Sequence, residues 1–530
     1  MTNTRKSRTT ARRIGHANPF AFEATEDTPL ISLQSNPPDN MYGGCSIQIF
    51  DPNTGAGNLS NTHADANGFL NYVNQFDQIN FHFEDGGVQE WEYDPADDDF
   101  WNYYGMDAVR AFYHSGHGGM ESDGTFFAPL GAQWGGKDYA ISSSMSIGVH
   151  FLRYVFWSTC NSLEVLNGQS PIRTWNAANK GLRMIFGFQS TSLDSPDYGG
   201  NFFNEWNKGK SFSQAWQDAS LDISSDMVVS STACGSTEAE CQDRLWNERL
   251  FYGGAASNAW YWWRWAGNAP ASAIRAANRT LPPAPLRARL IRQRADGQAL
   301  AVLLDRFGMR AGTEFPDGVG EVSVEAEGRR LVLHADGSYE VVFAQPDRTA
   351  PLAAHDELLA AAENAIRRFR VAEGLDLVYD RMTATYHTGG SVDDGEVRDT
   401  RVADVTVHYR QLIDGLPVVM GREGHVRVTL DPRGALIRLL DRTHSIRDLL
   451  PAVPGSDDLT DPDAALTNAT QALLRGLSAN GVLHDRVETV PNTTEIGYRL
   501  RPGEGRLVAR REVEVSTGRF RKRHVIEVPL

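Results

Sequence analysis

Three short, dense apolar runs constrain this chain most: Ala108–Tyr113 (AVRAFY), Leu152–Trp157 (LRYVFW) and Leu182–Phe188 (LRMIFGF). A strand with one wet face alternates polar and apolar residues. Runs as apolar as these, rich in Val, Ile and aromatics, suit strands covered on both faces, as in a parallel sheet. Cys45–Phe50 (CSIQIF) alternates like a further strand. Asp65–Phe76 sets Phe69, Leu70, Val73 and Phe76 at helical spacing behind an N-cap candidate. Pro171–Lys180 has room for a crossover helix, and Asn201–Leu221 reads as helical pieces broken at Gly209. This rhythm predicts an α/β fold with an open, mostly parallel sheet flanked by helices.

With 530 residues and roughly 150 residues per domain, three or four domains are expected. All 12 tryptophans fall between Trp91 and Trp265, and all four cysteines between Cys45 and Cys241. The rest has neither. A stretch rich in Ala, Pro and Asn separates the halves and reads as a connector. Beyond it, residues 354–369 place Leu358, Leu359, Ala362, Ile366 and Phe369 on one helical face. Strand-like runs follow at 405–412, 417–420, 425–430 and 435–440, with Asp414-Gly415 and Arg433-Gly434 where hairpin turns belong. A second helix at 463–477 is again followed by strands. The expected division is a flexible tail (1–25), an α/β domain (26–266), a linker (267–286), a strand-rich module (287–346) and two modules of the α+β class (347–452 and 453–530). The run Trp260–Trp265 (WYWWRW) is expected to be a buried cap on the first domain.

The formal charge is −16, from 51 Lys plus Arg against 67 Asp plus Glu. That surface disfavours nucleic acid and anionic membrane as partners. No apolar run nears the roughly 20 residues of a membrane span. Met1–Gly15 is basic and polar with no apolar stretch after it, so a cytoplasmic location is expected. Four cysteines do not make a disulfide framework.

In open α/β sheets ligands gather where parallel strands end. His114-Ser115-Gly116-His117-Gly118-Gly119 follows the first dense run, Ser158-Thr159-Cys160-Asn161 the second, and Gln189-Ser190-Thr191-Ser192-Leu193-Asp194 the third. A histidine and a cysteine therefore leave neighbouring strands at one edge. Imidazole is the usual partner that makes a thiol nucleophilic near neutral pH. The glycines after His117 let backbone N–H groups approach a developing oxyanion.

A hydrophobic strand ending in Ser-Gly-His-Gly, then 43 residues (160 − 117) to a Cys at the end of another, resembles the caspase-like, clan CD cysteine peptidases. These include caspases, metacaspases, legumains, clostripain and gingipains. The resemblance spans about residues 40–225. It implies a caspase-like fold and cysteine endopeptidase activity on protein or peptide substrates. Cys160 would be the nucleophile, His117 the acid–base, and the N–H groups of Gly118 and Cys160 the oxyanion hole. Gln189, Ser190 and Asp194 would line the substrate pocket, although Asp194 reads more readily as a helix cap or surface acid. Thr159 stands where caspases and metacaspases commonly have an acidic or small polar residue, which leaves the subfamily open.

His408–Leu439 resembles the propeptide modules of thermolysin-type and fungalysin-type metalloproteases, through Gln411, Asp414-Gly415, Pro417-Val418 and Gly434. That implies an intramolecular chaperone or inhibitor within residues 287–530. No HExxH metalloprotease motif accompanies it.

Two rival readings stand beside the peptidase. One is a metal-dependent hydrolase using His114, His117 and Asp123, a spacing unlike usual zinc sites. The other is a non-catalytic binding or scaffold protein. G-x-S-x-G, Rossmann and P-loop fingerprints are missing. No cofactor is expected; Asp97-Asp98-Asp99 reads as a solvated turn, or as an oxygen cluster able to take Ca²⁺. Cys45 is expected in the core, and Cys234 and Cys241 as free thiols or a disulfide.

Overall fold

The computed structural model describes residues 10–13, 15–21, 41–96, 104–224, 226–268, 286–291, 295–310, 321–419, 421–451, 461–478 and 485–530. Most of the expected linker and the Asp97–Asp99 cluster lie outside the described residues.

The dense runs form strands. In chain order the first half contains β1 (Thr10–Arg13), β2 (Tyr42–Ser46), β3 (Phe81–Glu84), β4 (Ala111–Ser115), β5 (Gly119–Met120), β6 (Phe126–Trp134), β7 (Lys137–Ile141), β8 (Tyr154–Ser158), β9 (Met184–Phe188), β10 (Val229–Gly235) and β11 (Trp260–Asn268). Its helices are α1 (Thr62–Val73), α2 (Pro171–Trp175), α3 (Tyr198–Asn207), α4 (Phe212–Leu221) and α5 (Glu238–Asn247). β3, β2, β4, β8 and β9 are mutually parallel neighbours. Successive residues feed opposite faces: Tyr113, Phe156 and Phe186 enter one core, Phe112, Val155 and Ile185 the other. On the first face Phe69, Leu70, Phe202, Phe203, Ala215 and Trp216 of α1, α3 and α4 cover the strands. On the second face the cover is chiefly a small antiparallel sheet, β5-β6-β7, through Phe126, Phe127, Ala128, Leu130 and Ala140.

The second half contains β12 (Leu286–Leu290), α6 (Gly297–Arg306), β13 (Val322–Ala326), β14 (Arg329–Leu333), β15 (Tyr339–Val342), α7 (His355–Arg368), β16 (Leu377–Ser391), β17 (Arg401–Ile413), β18 (Leu416–Pro417), β19 (His425–Leu430), β20 (Leu436–Asp441), β21 (Ile446–Pro451), α8 (Pro462–Ser478), β22 (Arg486–Thr489), β23 (Glu495–Arg501), β24 (Glu504–Thr517) and β25 (Phe520–Pro529).

The expected α/β architecture, an open and mostly parallel sheet flanked by helices with α+β modules appended, is overturned. The protein is mostly β: a single mixed sheet runs through both halves in the order β1-β13-β14-β15-β20-β19-β17-β16-β11-β10-β9-β8-β4-β2-β3, with β18 attached to β17. The physical reason lies at β11. This strand holds the WYWWRW run inside the sheet, between β10 and β16. Nine consecutive residues, Trp260 to Asn268, pair antiparallel with Ser391 to Thr383. An edge that would otherwise expose unpaired N–H and C=O groups is closed by the second half. A second sheet, β21-β12-β24-β22 with β23 and β25 also paired to β24, carries the end of the chain.

Candidate functional site

Parallel register sets the site. Ser115 of β4 is level with Ser158 of β8, so two residues on, His117 and Cys160 emerge at the same sheet edge. Gly118 lies so close to the second strand end that an added Cβ would meet the Cys160 carbonyl oxygen at 2.7 Å and Thr159 Cβ at 2.9 Å. Only glycine fits there without a shift. The two backbone segments expected to supply oxyanion donors, at Gly118 and Cys160, thus touch.

Both side chains are buried, His117 at 3% exposure and Cys160 at 1%. His117 Nε2 is 2.9 Å from the Gly57 carbonyl, which fixes the proton on that nitrogen when the ring is neutral. Its Nδ1 is buried with no hydrogen-bond partner among the described residues. Burial, then the Lys522 ammonium, pushes the His117 pKa down to about 3. His114 lies on a separate path: its Nδ1 meets Tyr93 Oη at 2.7 Å, and burial lowers it likewise to about 3. The exposed Asp123 carboxylate accepts from Thr125 N at 2.9 Å. Among the described residues no three His, Cys, Asp or Glu side chains gather as a metal site.

The expected pocket residues are braced. Gln189 Oε1 accepts from the amides of Val165 and Leu166. Ser190 Oγ accepts from Val228 N at 3.0 Å. The Asp194 carboxylate accepts from Ser60 N (2.9 Å) and Asn61 N (3.2 Å), at the start of α1. Burial and these amides commit it to holding the helix end. The other cysteines, Cys45, Cys234 and Cys241, are buried and unbridged.

What local sequence reasoning missed is the occupant. The β24–β25 hairpin turns through Gly518-Arg519, with Thr517 opposite Phe520 and Gly518 at φ +57°, a Gly-first two-residue loop. Its returning strand lies over the thiol. The Arg521 carbonyl oxygen accepts from Cys160 Sγ at 3.2 Å. Lys522 Nζ, buried, donates to the Gly116 carbonyl (3.1 Å) and Ser192 Oγ (3.0 Å). Arg523 N donates to Ser192 O, and Asp194 N to Arg523 O, a parallel bridge along the segment after β9. Phe520 is 1% exposed, with its ring 5.5 Å from His117 and 5.7 Å from Phe127. Arg519 stacks 3.4 Å over the Phe127 ring and pairs with Glu121. The missed signal is the run Arg519–His524 (RFRKRH) after a Gly-X turn, strongly basic in an acidic chain.

Residues 46–267 match the model of a family described as a domain of unknown function, DUF6345. A search of curated proteins found no match to the chain. The family match covers β3, β4, β8 and β9 of the parallel region, the last residue of β2, β10 and most of β11, so it contains both His117 and Cys160. Among the described residues no helix is long and apolar enough to cross a membrane.

Proposed function

We propose that this chain is a cysteine endopeptidase held closed by its own C-terminal hairpin. Cys160 attacks the peptide carbonyl, forming a thioester and expelling the amine. His117 takes the thiol proton and delivers it to that amine; water then hydrolyses the thioester with His117 as base. One observation carries the reading. An extended strand of the chain itself lies along Ser192–Asp194 with a backbone carbonyl at the Cys160 thiol, the way a strand-like peptide adds to an edge. The pose is unproductive. The thiol donates to the carbonyl oxygen, which puts the oxygen and not the carbon nearest the sulfur, so the hairpin blocks without being cut.

The burial of Cys160 favours a second reading, a catalytically silent binding protein. A peptide library assayed with Phe520→Ala, Phe520→Ala/Cys160→Ala and Phe520→Ala/His117→Ala separates the two. Cleavage by the first and not by the double variants supports the peptidase. A folded Phe520→Ala protein that exposes Cys160 yet cleaves nothing leaves the binding protein.

A further inference from the structure

Lined by none of the residues around the thiol, a cavity of about 280 Å³ lies at the seam between the halves. Six cationic side chains line it: Lys210, Arg249, Arg264, Arg330, Arg348 and Arg438. Only two acids do, Glu340 and Asp404. The charges are unevenly matched. Lys210 and Arg438 share Glu340 and Asp218. The remaining four arginines have no carboxylate within 4.0 Å among the described residues, in a chain whose net charge is −16. Of these Arg264 is buried, Arg330 and Arg348 are partly buried and Arg249 is exposed; a buried cation seldom lacks a close counter-charge, because desolvation costs more than neutral hydrogen bonds return.

The arginines are also held in place. Arg264, 2% exposed, donates to Gln214 Oε1 (3.1 Å) and Gln217 Oε1 (2.7 Å) and lies 4.7 Å from the Trp246 ring centroid. Arg348 lies 4.0 Å from that same centroid. Arg330 donates to the Gly209 carbonyl, and a Cβ at Gly209 would strike its guanidinium at 2.0 Å. The Nε atoms of Arg264, Arg330 and Arg348 are all buried without a hydrogen-bond partner among the described residues. Burial, opposed by Asp404 and Asp218 and reinforced by Arg348 and Arg438, lowers the Arg264 pKa to about 10, which leaves it charged at neutral pH. Ser211 and Gln214, at the start of α4, also line the cavity, so the positive end of that helix adds to the field.

We propose that this cavity is a binding site for a small multivalent oxyanion, a phosphate ester or a polycarboxylate, gripped between Arg264 of β11 and the Arg330 and Arg348 side chains of the second half. Guanidinium groups bind both chemistries as bidentate forks. Because both halves contribute, an occupant stabilises their association by mass action.

The test is calorimetric titration of the full chain with inorganic phosphate, pyrophosphate and citrate, at ionic strength held constant with NaCl. Thermal unfolding is followed in parallel. Saturable binding below ~10 mM, with a raised Tm, is expected. It should weaken at least tenfold in Arg348→Gln and Arg330→Gln, whose side chains are only partly buried. Arg264→Gln should abolish it, and circular dichroism checks that variant's folding. Preference for pyrophosphate over citrate identifies the phosphate source, and the reverse the carboxylate source. No saturable heat with any of the three, or equal affinity in wild type and the Arg330 and Arg348 variants, overturns the proposal.

Discussion

Two of the strand edges at which the second half meets the first are built very differently. At β11–β16 nine residue pairs run in register, and Trp262, Trp263 and Trp265 are buried. At the thiol, β25 touches Ser192–Asp194 through a single bridge and two backbone hydrogen bonds. The first seam continues the core. The second is a docked strand, anchored mainly by the Phe520 ring and the Lys522 ammonium. A ladder of nine pairs does not open without unfolding the sheet; one bridge and an aromatic anchor can. That contrast is what the proposed closed peptidase requires, a permanent fused sheet beside a strand held by few contacts. It also means that deleting residues 286–530 would strip β16 from β11, so opening the site calls for point changes in the hairpin.

The largest expected effect breaks the permanent seam. A Cβ at Gly389 would meet Trp262 Cε3 at 2.0 Å and the Tyr261 carbonyl at 2.6 Å. Gly389→Val should therefore destabilise the whole chain by about 3 kcal/mol, since backbone cannot yield as a side chain does. Urea denaturation measures it, and an unchanged midpoint would mean that β11–β16 is not the structural joint. Next comes the releasable seam. Phe520→Ala should weaken docking by about 3 kcal/mol and leave β11–β16 amides protected from hydrogen exchange while β25 amides lose protection.

An acid effect of intermediate size follows from His117. Its pKa falls from an ordinary 6.5 to about 3 in the closed site, through burial and then the Lys522 ammonium of the hairpin, so the docked state resists a proton that a solvated imidazole accepts. The stabilisation is complete above pH 6.5 and is lost as pH falls toward 3. Protection of β25 amides, corrected for intrinsic exchange, should drop between pH 7 and 5. Asp65 works in the opposite sense. Burial raises its carboxyl to about 6, so it favours the folded scaffold as pH falls through that value. Global stability carries the same acid loss from other buried histidines, His114 among them, so the His117 share is isolated by substitution: in His117→Ala the acid decline of β25 protection should flatten, and an unchanged decline would remove His117 from the account. The smallest effect is expected at Arg519→Ala. Its ion pair with Glu121 is about half exposed, and with the Phe127 stacking the change should cost at most about 1 kcal/mol of docking, read from the same exchange profile.

The sequence was most legible where structure is local. His117 and Cys160 could be placed at one edge because each directly follows a doubly buried strand. The Asp414-Gly415 turn was readable because both residues adopt positive φ between β17 and β18. Helix α7 followed from its apolar face. The fold class was not legible, because strand pairing at β11 depends on a partner more than 110 residues away along the chain (383 − 268). WYWWRW looks the same as a cap or as a mid-sheet strand. The cover on the second face was misjudged for a related reason: apolar runs say that a face is buried, not whether helices or strands bury it. For Gln189 and Asp194 nothing in the local sequence signals the backbone amides that their side-chain oxygens accept, because those amides lie on other segments of the chain.

The most direct measurement is the rate at which a small electrophile alkylates Cys160 near pH 7, site-resolved by mass spectrometry, in wild type, Phe520→Ala and Phe520→Ala/His117→Ala. The account predicts slow labelling in wild type and labelling about 100-fold faster in Phe520→Ala, the tenfold-per-1.4 kcal/mol equivalent of the lost anchor. Most of that gain should disappear when His117 is also replaced. Equal rates in wild type and Phe520→Ala, or a rate indifferent to His117, would contradict a closed cysteine–histidine site.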